Sequence, residues 1–187
     1  MLILASASPR RKELISLISD DVKIIPSDAD ETYDDTIPSE AVPELLAVRK
    51  ATSVSKLYPN DTVIGCDTSV IIDGKILGKP QNEEDATRML SLLSGRTHKV
   101  ITGCAIFHKG KSVSFSEETE VQFYPLSKDE MSEYIKSGEP MDKAGAYGIQ
   151  GKAALFVKSI NGDYFNIVGL PVAELSRKLK EFESEVF

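Results

Sequence analysis

Apolar residues enter this chain either as short unbroken runs or at spacings of three and four, and each arrangement predicts an element. Leu2-Ile3-Leu4-Ala5 is an unbroken run, expected as a buried strand. It leads into Ser8-Pro9, a cap followed by a residue suited to the first helical position. The helix opened there turns Leu14, Ile15 and Ile18 inward. Residues 22–26 read as a second strand. Over residues 39–58, Val42, Leu45, Leu46, Val54, Leu57 and Tyr58 recur at helical spacing, and Pro59 closes the segment. Residues 62–66 form the next strand, with Asp67-Thr68 just past its end. Residues 69–73 then fold back through Gly74 onto Lys75-Ile76-Leu77 as a hairpin.

The second half follows the same logic. Asn82 caps a helix whose inner face is Ala86, Met89, Leu90 and Leu93, and Gly95 ends it. Residues 97–124 alternate as two long antiparallel strands joined near His108-Lys109-Gly110-Lys111. Ser127 and Glu130 make a capping box for a helix holding Met131, Tyr134 and Ile135. After a glycine-rich block, residues 142–151, strands are expected at 154–160 and 164–168 around the Asn161-Gly162 turn. Leu170-Pro171 opens a last helix that buries Val172, Leu175, Leu179 and Phe182. Strands and helices thus mix throughout, which predicts an α/β chain with one domain, or two closely joined lobes, over residues 1–187.

Composition narrows the partners more than the fold. A hydrophobic fraction of 41% against 27% charged residues supports a core and argues against global disorder. The formal net charge of -7 argues against general binding to nucleic acid or to anionic membranes. Cys66 and Cys104 make neither a disulfide framework nor a zinc site, and are expected as small core residues. No basic segment precedes a short apolar one, and no apolar run is long enough to span a bilayer, so a cytoplasmic location is expected. His98 and His108 fit no metal-ligand spacing and are assigned to structure or surface.

Several polar residues stand where a purely structural pattern would not put them. Arg10 and Arg11 occupy the first turn of a helix, where the dipole disfavours cations by about 0.3–1 kcal/mol each. The free N–H groups of that turn, with the hydroxyls of Ser6 and Ser8, suit a phosphate. Lys50 lies four residues from both Leu46 and Val54 on an apolar stripe, so it either snorkels to the edge or holds a buried anion. The acidic stretch 27–36 is either a solvated loop or the source of a carboxylate, Glu31 first among them, that folds back onto a divalent cation. Asp67 follows a buried strand, a rigid mount for a catalytic carboxylate as well as a turn former. Lys79 stands in a constrained Gly78-Lys79-Pro80 turn. Gln150 carries both a donor and an acceptor in a block where glycines permit close approach to a ligand. Cations and carboxylates converging on one cleft suit phosphate chemistry assisted by Mg²⁺. No Gly-Lys-Ser/Thr phosphate loop and no Gly-x-Ser-x-Gly elbow is present.

Seven short motifs occur in order: Ser6 to Arg11, Gly65-Cys66-Asp67-Thr68, Leu77-Gly78-Lys79-Pro80, Leu93 to His98, Asp142 to Gly151, Asn161 to Tyr164 and Val168-Gly169-Leu170-Pro171. Together they resemble the Maf family of nucleoside triphosphate pyrophosphatases over essentially the whole chain. One departure is Cys66, where the family usually has alanine. The resemblance implies a mixed central sheet flanked by helices, inosine triphosphate pyrophosphatase-like, with two lobes around a cleft. It implies cleavage of a nucleoside triphosphate to the monophosphate and pyrophosphate, with Mg²⁺ or Mn²⁺ as cofactor. Carried over by position, Asp67 activates water and shares the metal with Glu31. Arg11, Lys50 and Lys79 are phosphate ligands, and Ser6 or Ser8 adds hydroxyl donors. Arg10, Thr68 and Gln150 match the specificity positions in the combination of the dTTP/UTP branch.

Two other readings fit the same residues. One is a sanitising pyrophosphatase for modified nucleotides; the other is a nucleotide-binding regulator of cell division or septum formation. A binding-only relative would be expected to have lost Asp67 or Lys79, and both are intact. Family members often form dimers, so a homodimer is an alternative, although no exposed apolar stripe argues for one.

Overall fold

The structure, a computed structural model, describes residues 1–186. In chain order it comprises β1 (Leu2–Ala5), α1 (Pro9–Ile15), β2 (Val22–Ile24), α2 (Val42–Ser55), β3 (Thr62–Ile72), β4 (Lys75–Leu77), α3 (Glu83–Leu93), β5 (Thr97–His108), β6 (Lys111–Phe123), α4 (Lys128–Lys136), β7 (Val157–Asn161), α5 (Tyr164–Val168) and α6 (Val172–Val186). The strands form one sheet in the order β2-β1-β3-β5-β6-β7, with β4 attached to β3. β1 is parallel to both of its neighbours, and the remaining pairs are antiparallel. This is the mixed sheet expected from the sequence.

The two-residue period of the strands distributes the core. On β1, Ile3 and Ala5 pack with Ala47, Ala51 and Val54 of α2, whereas Leu4 faces Leu14 of α1 and Leu175 of α6 on the other side. β3 repeats the division, with Val63 toward α2 and Ile64 and Cys66 toward α6. Beyond Ser69 the same strand enters a second lobe. There Val70 and Ile72 join Val100, Val121 and Phe123 beneath α3, α4 and residues 144–156. β3 and β5 therefore run through both lobes, and the segment between the two cores contains Asp67 and Thr68.

Four expectations need correction. The strand expected to stop at Cys66 continues to Ile72, because Asp67 and Thr68 remain paired with Gly103 and Thr102 of β5. The expected strand at Tyr164–Val168 is a helix: Asp163 caps it by accepting from Phe165 N at 2.8 Å, which outweighs the strand preference of Tyr, Phe, Ile and Val. Residues 152–156 form a 3₁₀ turn, so only Val157–Asn161 pairs with β6. Leu57 falls beyond the end of α2 and is 72% exposed rather than inward. Both cysteines are buried, their Sγ atoms 3.6 Å apart across β3 and β5, and both histidines are buried too. Among the described residues no helix is long and apolar enough to cross a membrane.

Candidate active site

Two glycines bring α2 against the sheet. A Cβ on Gly65 would lie 2.3 Å from the Ala47 carbonyl oxygen, and one on Gly103 would lie 2.3 Å from Glu44 N. With side chains absent there, the helix rests on β3 and β5, and Lys50 reaches the strand. Its Nζ lies 2.6 Å from Asp67 Oδ1 and 2.8 Å from Glu31 Oε1. The side chains of Lys50 and Asp67 are only 13% and 14% exposed, so this contact is desolvated far more than a surface pair. The two sequence readings of Lys50 are resolved in favour of the anion: it holds carboxylates and does not snorkel.

Asp67 and Glu31 come from a strand and a loop 36 positions apart in the chain, yet their oxygens converge on a single cationic centre. In this structure the Lys50 ammonium is the cation that the two carboxylates share. Among the described residues no three His, Cys, Asp or Glu side chains gather as a metal site. Two carboxylates nevertheless fit Mg²⁺ or Mn²⁺, because such ions commonly take one or two protein carboxylates and complete their shell with substrate phosphates and water.

Thr68 leaves the strand on the opposite face from Asp67 and joins α1. Arg11 Nη2 donates to Thr68 Oγ1 at 2.9 Å, Nε to the Gly169 carbonyl at 2.8 Å, and Nη1 to the Cys66 carbonyl at 3.0 Å and to Ser6 Oγ at 3.4 Å. Arg11 is thus a fixed part of the wall. The serines serve the same turn as acceptors: Ser8 Oγ takes the Arg11 N–H and Ser6 Oγ takes the Ser8 N–H. Each therefore keeps its own O–H to donate to a ligand.

The remaining candidates lie on the second lobe or at the rim. Arg10, Lys79 and Gln150 line the same cleft of about 1050 Å³ as Ser6, Ser8, Arg11, Glu31, Lys50, Asp67 and Thr68. All ten predicted site residues are brought together. Gly145 N donates to the Gly78 carbonyl at 3.0 Å, tying the glycine-rich loop to the turn that bears Lys79. Gly145 has φ +67°, and a Cβ there would meet Val70 at 2.8 Å, so only glycine lets this loop rest on β3. Tyr147 OH and His98 Nε2 are 2.7 Å apart, anchoring the loop from below. Burial depresses the His98 imidazole to about 4 and raises the Tyr147 phenol. The Lys143 ammonium holds the Asp142 carboxyl below its ordinary value, with Arg10 adding a smaller pull.

The sequence model of the Maf-like protein family matches residues 1–182. The chain belongs to this family. A Maf-like relative from Bacillus mycoides (strain KBAB4), named dTTP/UTP pyrophosphatase, is 51% identical over 186 residues, covering 99% of this chain and 97% of the relative. A protein of the same name from Geobacillus sp. (strain WCH70) is 52% identical over 179 residues, or 96% of each chain. In fold, this Maf-like chain is similar to a HAM1 protein from Coxiella burnetii, with a TM-score of 0.54 at 18% identity over 96% of this chain and 98% of that one. The Ham1 protein of Staphylococcus aureus aligns with a TM-score of 0.50 over 65% of this chain and 71% of that one, at 16% identity.

Sequence reasoning did not single out Arg49, Thr102, Tyr147 or Asn166, all of which support the site from behind. Thr102 had a readable signal, since it is a hydroxyl within the apolar run Val100 to Ile106. Asn166 is wholly buried, but its position in an apparent strand concealed it.

Proposed function

We propose that this chain is a nucleoside triphosphate pyrophosphatase that cleaves dTTP and UTP to the monophosphate and pyrophosphate. The observation that carries this reading is the Lys50 ammonium bridging Asp67 and Glu31 within a cleft also lined by Arg11 and Lys79. The names of relatives about half identical in sequence support the substrates.

Glu31 and Asp67 would hold Mg²⁺ or Mn²⁺. When bound, such an ion stabilises phosphate charge as a Lewis acid and eases deprotonation of the attacking water. Asp67 has a second carboxylate oxygen besides the one that meets Lys50, and we assign it the proton of the water that attacks phosphorus at the α–β anhydride. Lys50 and Lys79, from opposite lobes, neutralise the phosphates. Ser6 and Ser8 donate hydroxyl hydrogen bonds to them. Arg10, Thr68 and Gln150 select the nucleotide, and Arg11 completes the wall on their side. The compartment, on this reading, is the cytoplasm.

The test is incubation of purified protein with each nucleoside triphosphate, with and without Mg²⁺ or Mn²⁺, measuring pyrophosphate and orthophosphate separately. Pyrophosphate with UMP or dTMP is expected in the presence of metal. Orthophosphate as the product, or failure to cleave both dTTP and UTP with either metal, overturns the proposal.

A further inference from the structure

The atoms behind Thr68 leave its hydroxyl no rotational freedom. Thr102 has a single hydroxyl proton, and the main-chain carbonyl oxygen of Asn166, 2.9 Å away, accepts it. A carbonyl cannot donate, so that direction is fixed. The 2.8 Å contact between the Thr68 and Thr102 oxygens must then carry the Thr68 proton toward Thr102. Arg11 Nη2 fills one lone pair of Thr68 Oγ1 at 2.9 Å. One lone pair is all that Thr68 has left for the cleft.

Arg11 is equally committed. Of its five N–H groups, Nε–H goes to the Gly169 carbonyl, both Nη1–H groups go to the Cys66 carbonyl and Ser6 Oγ, and one Nη2–H goes to Thr68. A single Nη2–H remains. The wall therefore presents an acceptor and a donor on adjacent atoms 2.9 Å apart. Neither can change sign, because the relay behind them is anchored. Asn166 is wholly buried, and its Nδ2 donates to the Val100 carbonyl at 3.0 Å and to Thr119 Oγ1 at 2.9 Å.

We propose that Arg11 and Thr68, locked by Thr102 and Asn166, read the imide edge of the pyrimidine base. Uracil and thymine present N3–H beside the O4 carbonyl oxygen, which complements a lone pair beside an N–H. Cytosine presents an N3 lone pair beside an amine, so both contacts become like against like. The inference rests on the dTTP/UTP reading above and places Arg11 at the base rather than at a phosphate. Thr102 and Asn166 are positioning residues, since they act through Thr68.

The experiment compares kcat/KM for UTP, CTP and N3-methyl-UTP in the wild type and in Thr68→Val, Thr102→Val and Thr102→Ser. Wild-type protein should cleave N3-methyl-UTP about tenfold or more less efficiently than UTP, because the donor at N3 is gone. In Thr102→Val the freed Thr68 hydroxyl can turn and donate to cytosine, so the UTP-to-CTP ratio should fall about tenfold. Thr102→Ser keeps the relay and should hold the ratio within about threefold of wild type. A purely structural role for Thr102 would lower both rates and leave the ratio alone. If Thr68→Val lowers the ratio but folded Thr102→Val does not, the lock is overturned. If Thr68→Val leaves the ratio unchanged and N3-methyl-UTP is cleaved like UTP, the imide reading is overturned, while pyrophosphate release from UTP leaves the proposed function standing. Should Thr102→Val not fold, those two arms still decide the proposal.

Discussion

Asp67 and Thr68 are consecutive residues on β3, and their side chains leave the sheet on opposite faces: Asp67 meets Lys50 of α2, and Thr68 meets Arg11 of α1. The alternation of an extended strand separates two tasks that a helix or turn would crowd together. The Asp67 carboxylate has its cation on one side. The hydroxyl that faces Arg11 belongs to a different set of neighbours. A change on one face can therefore be tested with little disturbance of the other.

Asp67→Asn should reduce pyrophosphate release by about 10²–10⁴-fold, the range expected for loss of a general base. Lys50 keeps Glu31 as a partner at 2.8 Å, so the fold should persist. Stopped assays with UTP, alongside circular dichroism, check both statements. Near-normal turnover in a folded variant would remove Asp67 from the mechanism.

Arg49 immediately precedes Lys50 on α2, and its Nη1 donates to the carbonyls of Asp30 and Thr32, the residues on either side of Glu31. The same helix face holds the start of the acidic loop through Ser53 Oγ and Ser27 Oγ, 2.8 Å apart. Arg49→Ala should weaken Mn²⁺ binding by the free protein about tenfold, as expected when a group orienting a ligand is lost. In a Glu31→Gln background the same substitution should add almost nothing. Electron paramagnetic resonance of free Mn²⁺ reads both affinities.

Gly103→Ala would put a Cβ 2.3 Å from Glu44 N and from the Pro43 carbonyl carbon, where nothing flexible can yield. The helix must lift, so the loss of stability should reach or exceed about 3 kcal/mol, the upper end of ordinary overpacking. Urea unfolding measures it. Activity in the surviving folded fraction should fall as well, because the lift carries Lys50 away from Asp67.

His98 is depressed to about 4 by burial, below its ordinary value of 6.5. The unfolded chain therefore binds the extra proton first as the pH falls. The stability that His98 contributes is complete above pH 6.5 and is lost as the pH drops toward 4, at up to about 1.4 kcal/mol per pH unit from this group. Urea midpoints between pH 7 and 5 should fall for wild type and fall less steeply for His98→Gln, a difference that isolates this residue from the carboxylates.

Most of this architecture was legible wherever local chemistry and tertiary packing agree. Ser8, Asn82 and Ser127 cap the helices they were expected to cap, each accepting the predicted kind of backbone N–H. The alternation over residues 97–124 yields β5 and β6 in direct register from Thr97 with Gln122 to His108 with Lys111. The charged cleft residues were found from charges in unexpected places, above all Lys50 on an apolar stripe, whereas Thr68 came only from the resemblance to the family. What escaped was nonlocal. Whether Asp67-Thr68 ends a strand depends on Gly103 and Thr102 from a distant segment. The cap that turns residues 164–168 helical is one aspartate against four residues of good strand propensity. The partners of Arg11 come from three separate stretches of chain, and no spacing rule connects them.

The uninterrupted pairing of β3 with β5, from Val63 with Phe107 to Ile71 with Lys99, also bears on how the enzyme breathes. A hinge between the lobes would have to break this ladder at Asp67 and Thr68, the two residues to which the proposed function gives proton transfer and nucleotide selection. The sheet is a girder under the cleft, and the acidic loop and residues 142–151 both contribute to the lining above it. On the proposed function, the sequences of those two loops are free to vary without touching the paired strands that carry Asp67 and Thr68.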